Sequence, residues 1–146
     1  MAKTHALDKS KVLRPYEGVV ILDPDTPEDQ QKALFRKNKD IVESFAGKVA
    51  HVETWGKRQL ANPVKKRRRA LYFYSVFEAQ PQAISELERT MAINDRVLRF
   101  MHTRLKDDTN PMKHLEEFHN GLKESINRER ERENKVAAKR KFEKSM

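Results

Sequence analysis

Cysteine is absent from the 146 residues, and with it go disulfides, thiolate metal sites and a cysteine nucleophile. That suits a reducing compartment. Glycine is scarce, and its four copies form no phosphate-cradling loop. No run approaches the roughly twenty apolar residues needed to cross a bilayer, and residues 1–13 lack the apolar stretch of a secretory signal. A soluble, intracellular protein with no membrane association is expected. Catalytic chemistry is equally thin. His5, His51, His102, His114 and His119 are scattered, and the last two are five apart, not the three or four that align two ligands on a helix. No serine sits in a nucleophile elbow, and Asp23 and Asp25 flank Pro24 in a turn, where capping accounts for them. No catalytic residue, cofactor or metal is expected, and the chain reads as a non-enzyme.

What the chain has is positive charge: 31 Lys and Arg against 22 Asp and Glu, a net of +9. Seven of these bases, Lys57, Arg58, Lys65, Lys66, Arg67, Arg68 and Arg69, fall within residues 57–69 with no acid among them. The window lies between two aromatic, strand-like runs, residues 49–55 and 71–77, and so reads as the tip of a long β-hairpin. Uncompensated cations on a protruding loop repel one another, whereas a polyanion neutralises them and releases its own counterions. The pattern points to a nucleic-acid backbone binder. A solvated charge run and a nuclear import signal over residues 65–69 are the competing readings.

Residues 16–22 form a Val/Ile/Leu/Tyr run closed by Asp23-Pro24-Asp25, a strand and its turn. Thr26 can cap a first helix, with Pro27 at its first position and Glu28 and Asp29 at the positive end of its dipole. Leu34, Ile41 and Phe45 share its apolar face, with Asn38 between them, and Gly47 is its expected stop. Strands over 49–60 and 71–79 follow, joined by the basic loop containing Asn62-Pro63. Pro81 opens a second helix with Ile84, Leu87 and Met91 inward, ended by Asn94-Asp95. A fourth strand covers 96–105, with Val97, Arg99 and Met101 on one face and Leu98 and Phe100 on the other. The order strand, helix, strand, strand, helix, strand gives an α+β, ferredoxin-like sandwich: a four-stranded antiparallel sheet with two helices on one face. From Pro111 the tail reads as helix, with a thin apolar stripe of Met112, Leu115, Phe118, Leu122 and Ile126. Such a helix is marginal alone and is expected to fray until something binds it. The expected organisation is a flexible leader over 1–13, a ferredoxin-like RNA-binding domain over 14–105 and a charged C-terminal extension over 106–146.

Several strings are specific enough to compare with a known family. Pro15-Tyr16-Glu17, Leu22-Asp23-Pro24, Trp55-Gly56-Lys57-Arg58-Gln59-Leu60-Ala61-Asn62-Pro63-Val64 and Ile93-Asn94-Asp95-Arg96-Val97-Leu98-Arg99 closely resemble the bacterial small-subunit ribosomal protein six family, in its order and spacing, over roughly residues 14–105. The resemblance implies a ferredoxin-like fold, binding to the central domain of small-subunit ribosomal RNA and a heterodimer with ribosomal protein eighteen. The chain departs from the family's usual pattern at Asn62, where Tyr is usual, in the more basic run 65–69, and in a tail that is mixed to basic where some members carry glutamates.

The candidate RNA contacts are Arg14 ahead of the first strand, Lys57 and Arg58 at the end of the second, Lys65, Lys66, Arg67, Arg68 and Arg69, and Arg99, which matches a basic position in the family's fourth-strand motif. Strand alternation puts Arg96 and Arg99 on opposite faces. Phosphate contacts position a protein without reading sequence, so specificity should come from RNA shape and from the neighbouring protein. Trp55, Tyr72 and Tyr74 could stack bases, as in RNA-recognition domains of this topology. The glycine-aromatic signature of those domains is absent, and burial in the core or against the partner protein is the preferred reading. Two other classes share the topology. A regulatory or small-molecule-binding homodimer would need a ligand loop that is not found. An acylphosphatase-like enzyme would need an arginine in a glycine-bearing loop after the first strand, where Asp23-Pro24-Asp25 stands.

Overall fold

A computed structural model describes residues 12–145. Most of the expected leader therefore lies outside the described residues. The elements run β1 (Arg14–Leu22), α1 (Glu28–Ser44), β2 (Lys48–Val64), β3 (Arg67–Ala79), α2 (Pro81–Ala92) and β4 (Val97–Arg104), followed by α3 (Pro111–Ser145). The strands form one sheet in the order β2-β3-β1-β4, antiparallel at every pairing. This is the ferredoxin-like arrangement expected from the element order.

Side-chain alternation assigns the two faces. Tyr16, Val20 and Leu22 of β1 and Leu71, Phe73, Phe77 and Ala79 of β3 join Leu34 and Val42 of α1 and Ala83, Leu87 and Met91 of α2 in one core. Both helices thus bury their apolar stripes on the same side of the sheet. Each buried Leu, Phe or Met side chain is worth about 1.5–3 kcal/mol of transfer free energy. The other face carries Glu17, Tyr72, Tyr74 and Arg99, as the cross-strand register requires.

Four local expectations are revised. Thr26 does not cap α1: its hydroxyl donates to the Asp23 carbonyl at 2.7 Å, inside the turn, and Pro27 takes the N-cap position with the helix starting at Glu28. The left-handed residue ending α1 is Ala46 (φ 61°), not Gly47. Its N–H donates to Glu43 O and that of Gly47 to Val42 O, both at 2.9 Å, the paired bonds of a Schellman ending. Gly47 is needed for space instead, because a Cβ there would lie 2.5 Å from the Glu78 carbonyl. A register shift between Ile21 and Leu22 makes them pair with Arg99 and Val97, leaving Leu98 as the extra residue. That bulge reverses the alternation, so Val97 faces the core and parts company with Arg99 and Met101. Finally, the strands continue through the basic window, which is not a loop: β2 reaches Val64, β3 begins at Arg67, and only Lys65 and Lys66 form the turn. Asn62 and Pro63 sit where the register slips between Gln59 and Val64, with residues 60–63 opposite Arg68 alone. Proline lacks an N–H to give the ladder, and a bulge accommodates it.

The chain divides into two compact units, the first ending at Met112 and the second starting at Lys113. The second unit is the body of α3. Pro111 takes its first position and the Asn110 carboxamide accepts from the Met112 N–H at 3.0 Å. Where fraying was expected, α3 is continuous for 35 residues, consistent with its strong helix formers and its Glu/Arg alternation over residues 128–133.

Two outcomes follow for stability. Ala46→Gly relieves an L-residue held at positive φ, and urea unfolding should show a gain of about 0.5–1 kcal/mol; Gly47→Ala should cost about 2 kcal/mol or more, because its clash is with backbone. The second concerns His102, whose side chain is 4% exposed and whose Nδ1 lies 3.4 Å from Glu88 Oε1. Burial pushes the imidazole pKa below its ordinary 6.5, outweighing the hydrogen bond and charge of Glu88 that pull it up. The unfolded chain therefore takes up a proton at higher pH than the folded one. The contribution is whole above pH 6.5 and is lost as pH falls below it toward the folded-state value. Denaturation midpoints measured across that window should fall with pH, and His102→Gln should flatten the slope.

Candidate nucleic-acid interface

The basic hairpin ends in a turn whose two residues both have positive φ, 46° at Lys65 and 66° at Lys66. A turn of this kind favours Asn-Gly, because a side chain at positive φ is strained by about 1 kcal/mol or more. Two lysines here combine that strain with like charge on adjacent residues. Something outside the turn must hold it.

Two tethers do so. Lys65 Nζ donates to the Val97 carbonyl at 3.3 Å. Arg67 reaches the turn after β1, its two terminal nitrogens lying 3.1 Å from Asp23 Oδ2 and 3.6 Å from Asp25 Oδ2. Asp23 is 7% exposed and is itself fixed on several sides. Its Oδ1 accepts from the Asp25 N–H at 2.9 Å, its N–H donates to Arg96 O at 2.8 Å, and its carbonyl accepts from Thr26. This one residue joins β1, the start of β4 and the hairpin tip.

The candidate cations consequently fall into two groups. Lys65 and Arg67 are anchored to the protein. Lys57, Lys66, Arg68, Arg69 and Arg99 are exposed and make no side-chain hydrogen bond or ion pair among the described residues. Arg58 is intermediate, its Nε donating to Trp55 O at 3.0 Å while its remaining donors stay in solvent. The register spreads these charges over both faces of the hairpin: Lys57 pairs with Leu71 and Gln59 with Arg69 on the core-facing side, Arg58 with Ala70 on the open side. Arg99 stands on the open face, across Ile21 from Tyr72.

Arg14 does not belong to this cluster. It begins β1, whereas the hairpin tip lies beyond the other end of that strand, so nine residues of strand, about 27 Å, separate them. Its guanidinium is 21% exposed and 3.5 Å from Asp107, which also accepts from Arg104 at 2.8 Å. Arg96 lies just ahead of β4 and lines a cleft with Ala33 and Leu34 of α1; this position in the turn sets it apart from Arg99, since the bulge at Leu98 breaks the alternation expected to divide them.

The aromatic residues gather on the open face. Trp55 stacks on Tyr74 (centroids 5.4 Å) and Tyr72 (6.5 Å). Tyr74 is 1% exposed and donates to Glu17 Oε2 at 2.8 Å, and burial followed by that bond pushes its phenol pKa well up. Trp55 Nε1 donates to Glu53 at 3.3 Å. Two carboxylates beside the rings repel phosphate, so this patch suits a protein surface better than a nucleic-acid strand. Among the described residues no group of His, Asp and Glu is placed to hold a metal ion, and no helix is long and apolar enough to cross a membrane.

A family model, ribosomal protein S6, matches residues 15–104. The chain belongs to the ribosomal protein S6 family. The small ribosomal subunit protein bS6 of Bdellovibrio bacteriovorus is 53% identical over 124 residues, 85% of this chain and 82% of that protein. That of Geobacter sulfurreducens is 40% identical over 97 residues, 66% of this chain and 83% of its own length. A crystal structure of 30S ribosomal protein S6 from Thermotoga maritima superposes with a TM-score of 0.59 at 26% identity, covering 77% of this chain and 99% of that one. Membership makes the chain a ribosomal protein of the small subunit, and so a component of the cytoplasmic ribosome. Within this S6 chain the charge window was legible in sequence, but the Asp23–Arg67 tether was not, since the partners stand far apart along the chain. The Asp-Pro-Asp turn was its sole local trace.

Asp23→Asn keeps the acceptor for the Asp25 N–H and removes the ion pair with Arg67. Hydrogen exchange at residues 64–69 should then quicken roughly tenfold, about the 1.4 kcal/mol of a partly buried pair, with the β1 and β3 core amides unchanged.

Proposed function

We propose that the chain binds the central domain of small-subunit ribosomal RNA, in company with ribosomal protein eighteen, as a structural rather than catalytic component. The observation that carries this reading is the cluster Lys66, Arg68 and Arg69: exposed, unpaired cations on a hairpin whose neighbouring bases are spent on holding it in place. Unpaired cations at the tip gain by neutralising phosphates and displacing condensed counterions. Lys57, Arg58 and Arg99 extend the footprint back along the sheet. Arg14, at the far end and paired with Asp107, would meet a separate stretch of RNA or none. A positioned hairpin binds a structured RNA with less ordering cost than a mobile one, which is the contribution of Lys65 and Arg67.

The partner protein is assigned to the open face. Trp55 and Tyr72 are half-buried there, carboxylates flank the rings, and Met101 stands exposed on β4. Apolar area covered on that face is worth about 25 cal/mol per Å², a source of affinity that salt does not screen.

Binding to ribosomal RNA measured across a salt series tests the reading. The Lys66→Gln/Arg68→Gln/Arg69→Gln variant should bind at least tenfold more weakly at low salt, with a log–log slope shallower by about two to three. Asp23→Asn should also bind more weakly, about threefold to tenfold, although it removes a negative charge beside the phosphate site. An affinity for RNA that hardly changes with salt, or is equal in the triple variant, would refute the phosphate-binding role.

A further inference from the structure

The distal half of α3 carries a strip of unpaired positive charge distinct from the hairpin and the sheet. At 100° per residue, Arg128, Arg132, Lys135 and Lys139 fall within a strip about 60° wide. They follow the i, i+4, i+7, i+11 spacing of a single helix face and extend about 16 Å along the axis. No acid lies within the strip. Glu131 and Glu143 flank it, and Glu129 and Glu133 point toward the rear. All four bases are exposed, and among the described residues none has a carboxylate within 4 Å. The Arg128 Nε contact at 3.4 Å goes to a backbone carbonyl, that of Glu124, and leaves its terminal nitrogens in solvent.

Acids one turn away were available to all four and pair with none, so the strip keeps its charge for an external anion. Its composition selects among anionic surfaces. A membrane-bound helix needs a continuous apolar face, whereas the exposed large apolar residues of this half, Val136 and Phe142, stand about 120° apart around the axis. Four cations in line over about 16 Å can follow a run of successive phosphates. We infer that the strip Arg128, Arg132, Lys135 and Lys139 is a second RNA-binding surface, separate from the hairpin, contacting the phosphate backbone along one face of α3. The inference rests on the RNA-binding reading above and adds a site to it.

The test removes four charges in two ways from the full-length protein. One variant carries Gln at Arg128, Arg132, Lys135 and Lys139. The other carries Gln at Arg130, Arg140, Lys141 and Lys144, which lie on the rear of the same helix. Both lose the same net charge, and Gln keeps helix propensity, which circular dichroism verifies. Affinity for small-subunit ribosomal RNA is measured across a salt series, with the hairpin triple variant in parallel. The strip variant should bind fivefold to fiftyfold more weakly at low salt with a slope shallower by two to four, and the rear variant should stay within twofold of the parent. Equal losses in the two variants would show that only total charge counts and would overturn the inference, as would an unchanged strip variant, including one whose strip serves an acidic protein instead. Loss in the hairpin variant alone sinks this inference and leaves the hairpin reading intact. A parent with no salt-dependent affinity sinks both.

Discussion

Like charges crowded at a hairpin tip repel, and the structure is arranged around that repulsion. Five bases occupy five consecutive positions, residues 65–69, on a turn strained at both of its residues. Two unit charges about 4 Å apart cost on the order of 1 kcal/mol in water and more near a low-dielectric surface. The protein answers part of this internally. Arg67 is paired with Asp23 and Asp25, and Lys65 is held by a backbone carbonyl of β4. The remaining cations, Lys66, Arg68 and Arg69, have no carboxylate partner among the described residues. A finger held firmly yet left uncompensated is suited to the RNA-binding role proposed above.

The sandwich supplies the fixed points. Asp23 stays where it is because β1 ends in a core of Leu22, Leu34, Leu71 and Val97 and because its backbone is bonded to Arg96 and Thr26. The bulge at Ile21 and Leu22 turns Val97 inward, close to where Lys65 finds its carbonyl. Gly18 plays a similar part further along β1: a Cβ there would lie 3.0 Å from the His102 ring and 3.2 Å from Ser75 Oγ, so glycine lets the imidazole lie over the strand beneath α2. The open face divides its work by chemistry, with Arg58 and Arg99 toward the hairpin and the stacked Trp55 and Tyr74, bonded to Glu53 and Glu17, further along.

Periodicity and punctuation made most of this architecture readable. Pro81 opens α2 where expected, and Ile84, Leu87 and Met91 do face the sheet. The element order sufficed for the topology, and the strings around Trp55–Val64 and Arg96–Arg99 sufficed for the family. The misreadings share one cause: local signals yield to tertiary contacts. Asn62-Pro63 amid cations looks like a loop, yet pairing with β3 carries the strand past a bulge. Ala46 takes the left-handed position because Gly47 must lie against Glu78. Thr26 turns its hydroxyl to Asp23 because Asp23 is the hub. Arg14, expected as an RNA contact ahead of the first strand, stands at the end of β1 away from the hairpin, a distance that composition does not show. Which bases are tethered and which are available is a matter of distances between segments, and no pattern along the chain records it.

The account rests on repulsion at the hairpin outlasting the two internal tethers, and the free protein can be asked directly. The measurement is the unfolding free energy of the RNA-free protein, followed from about 10 to 200 mM NaCl, where screening acts before salting-out does. The account predicts that stability rises across this range, and that replacing Lys66, Arg68 and Arg69 by Gln raises it at low salt and removes most of the rise. Stability that is flat or falls with added salt, or that drops when those cations are removed, would mean the tip is already electrostatically satisfied and would contradict the central claim.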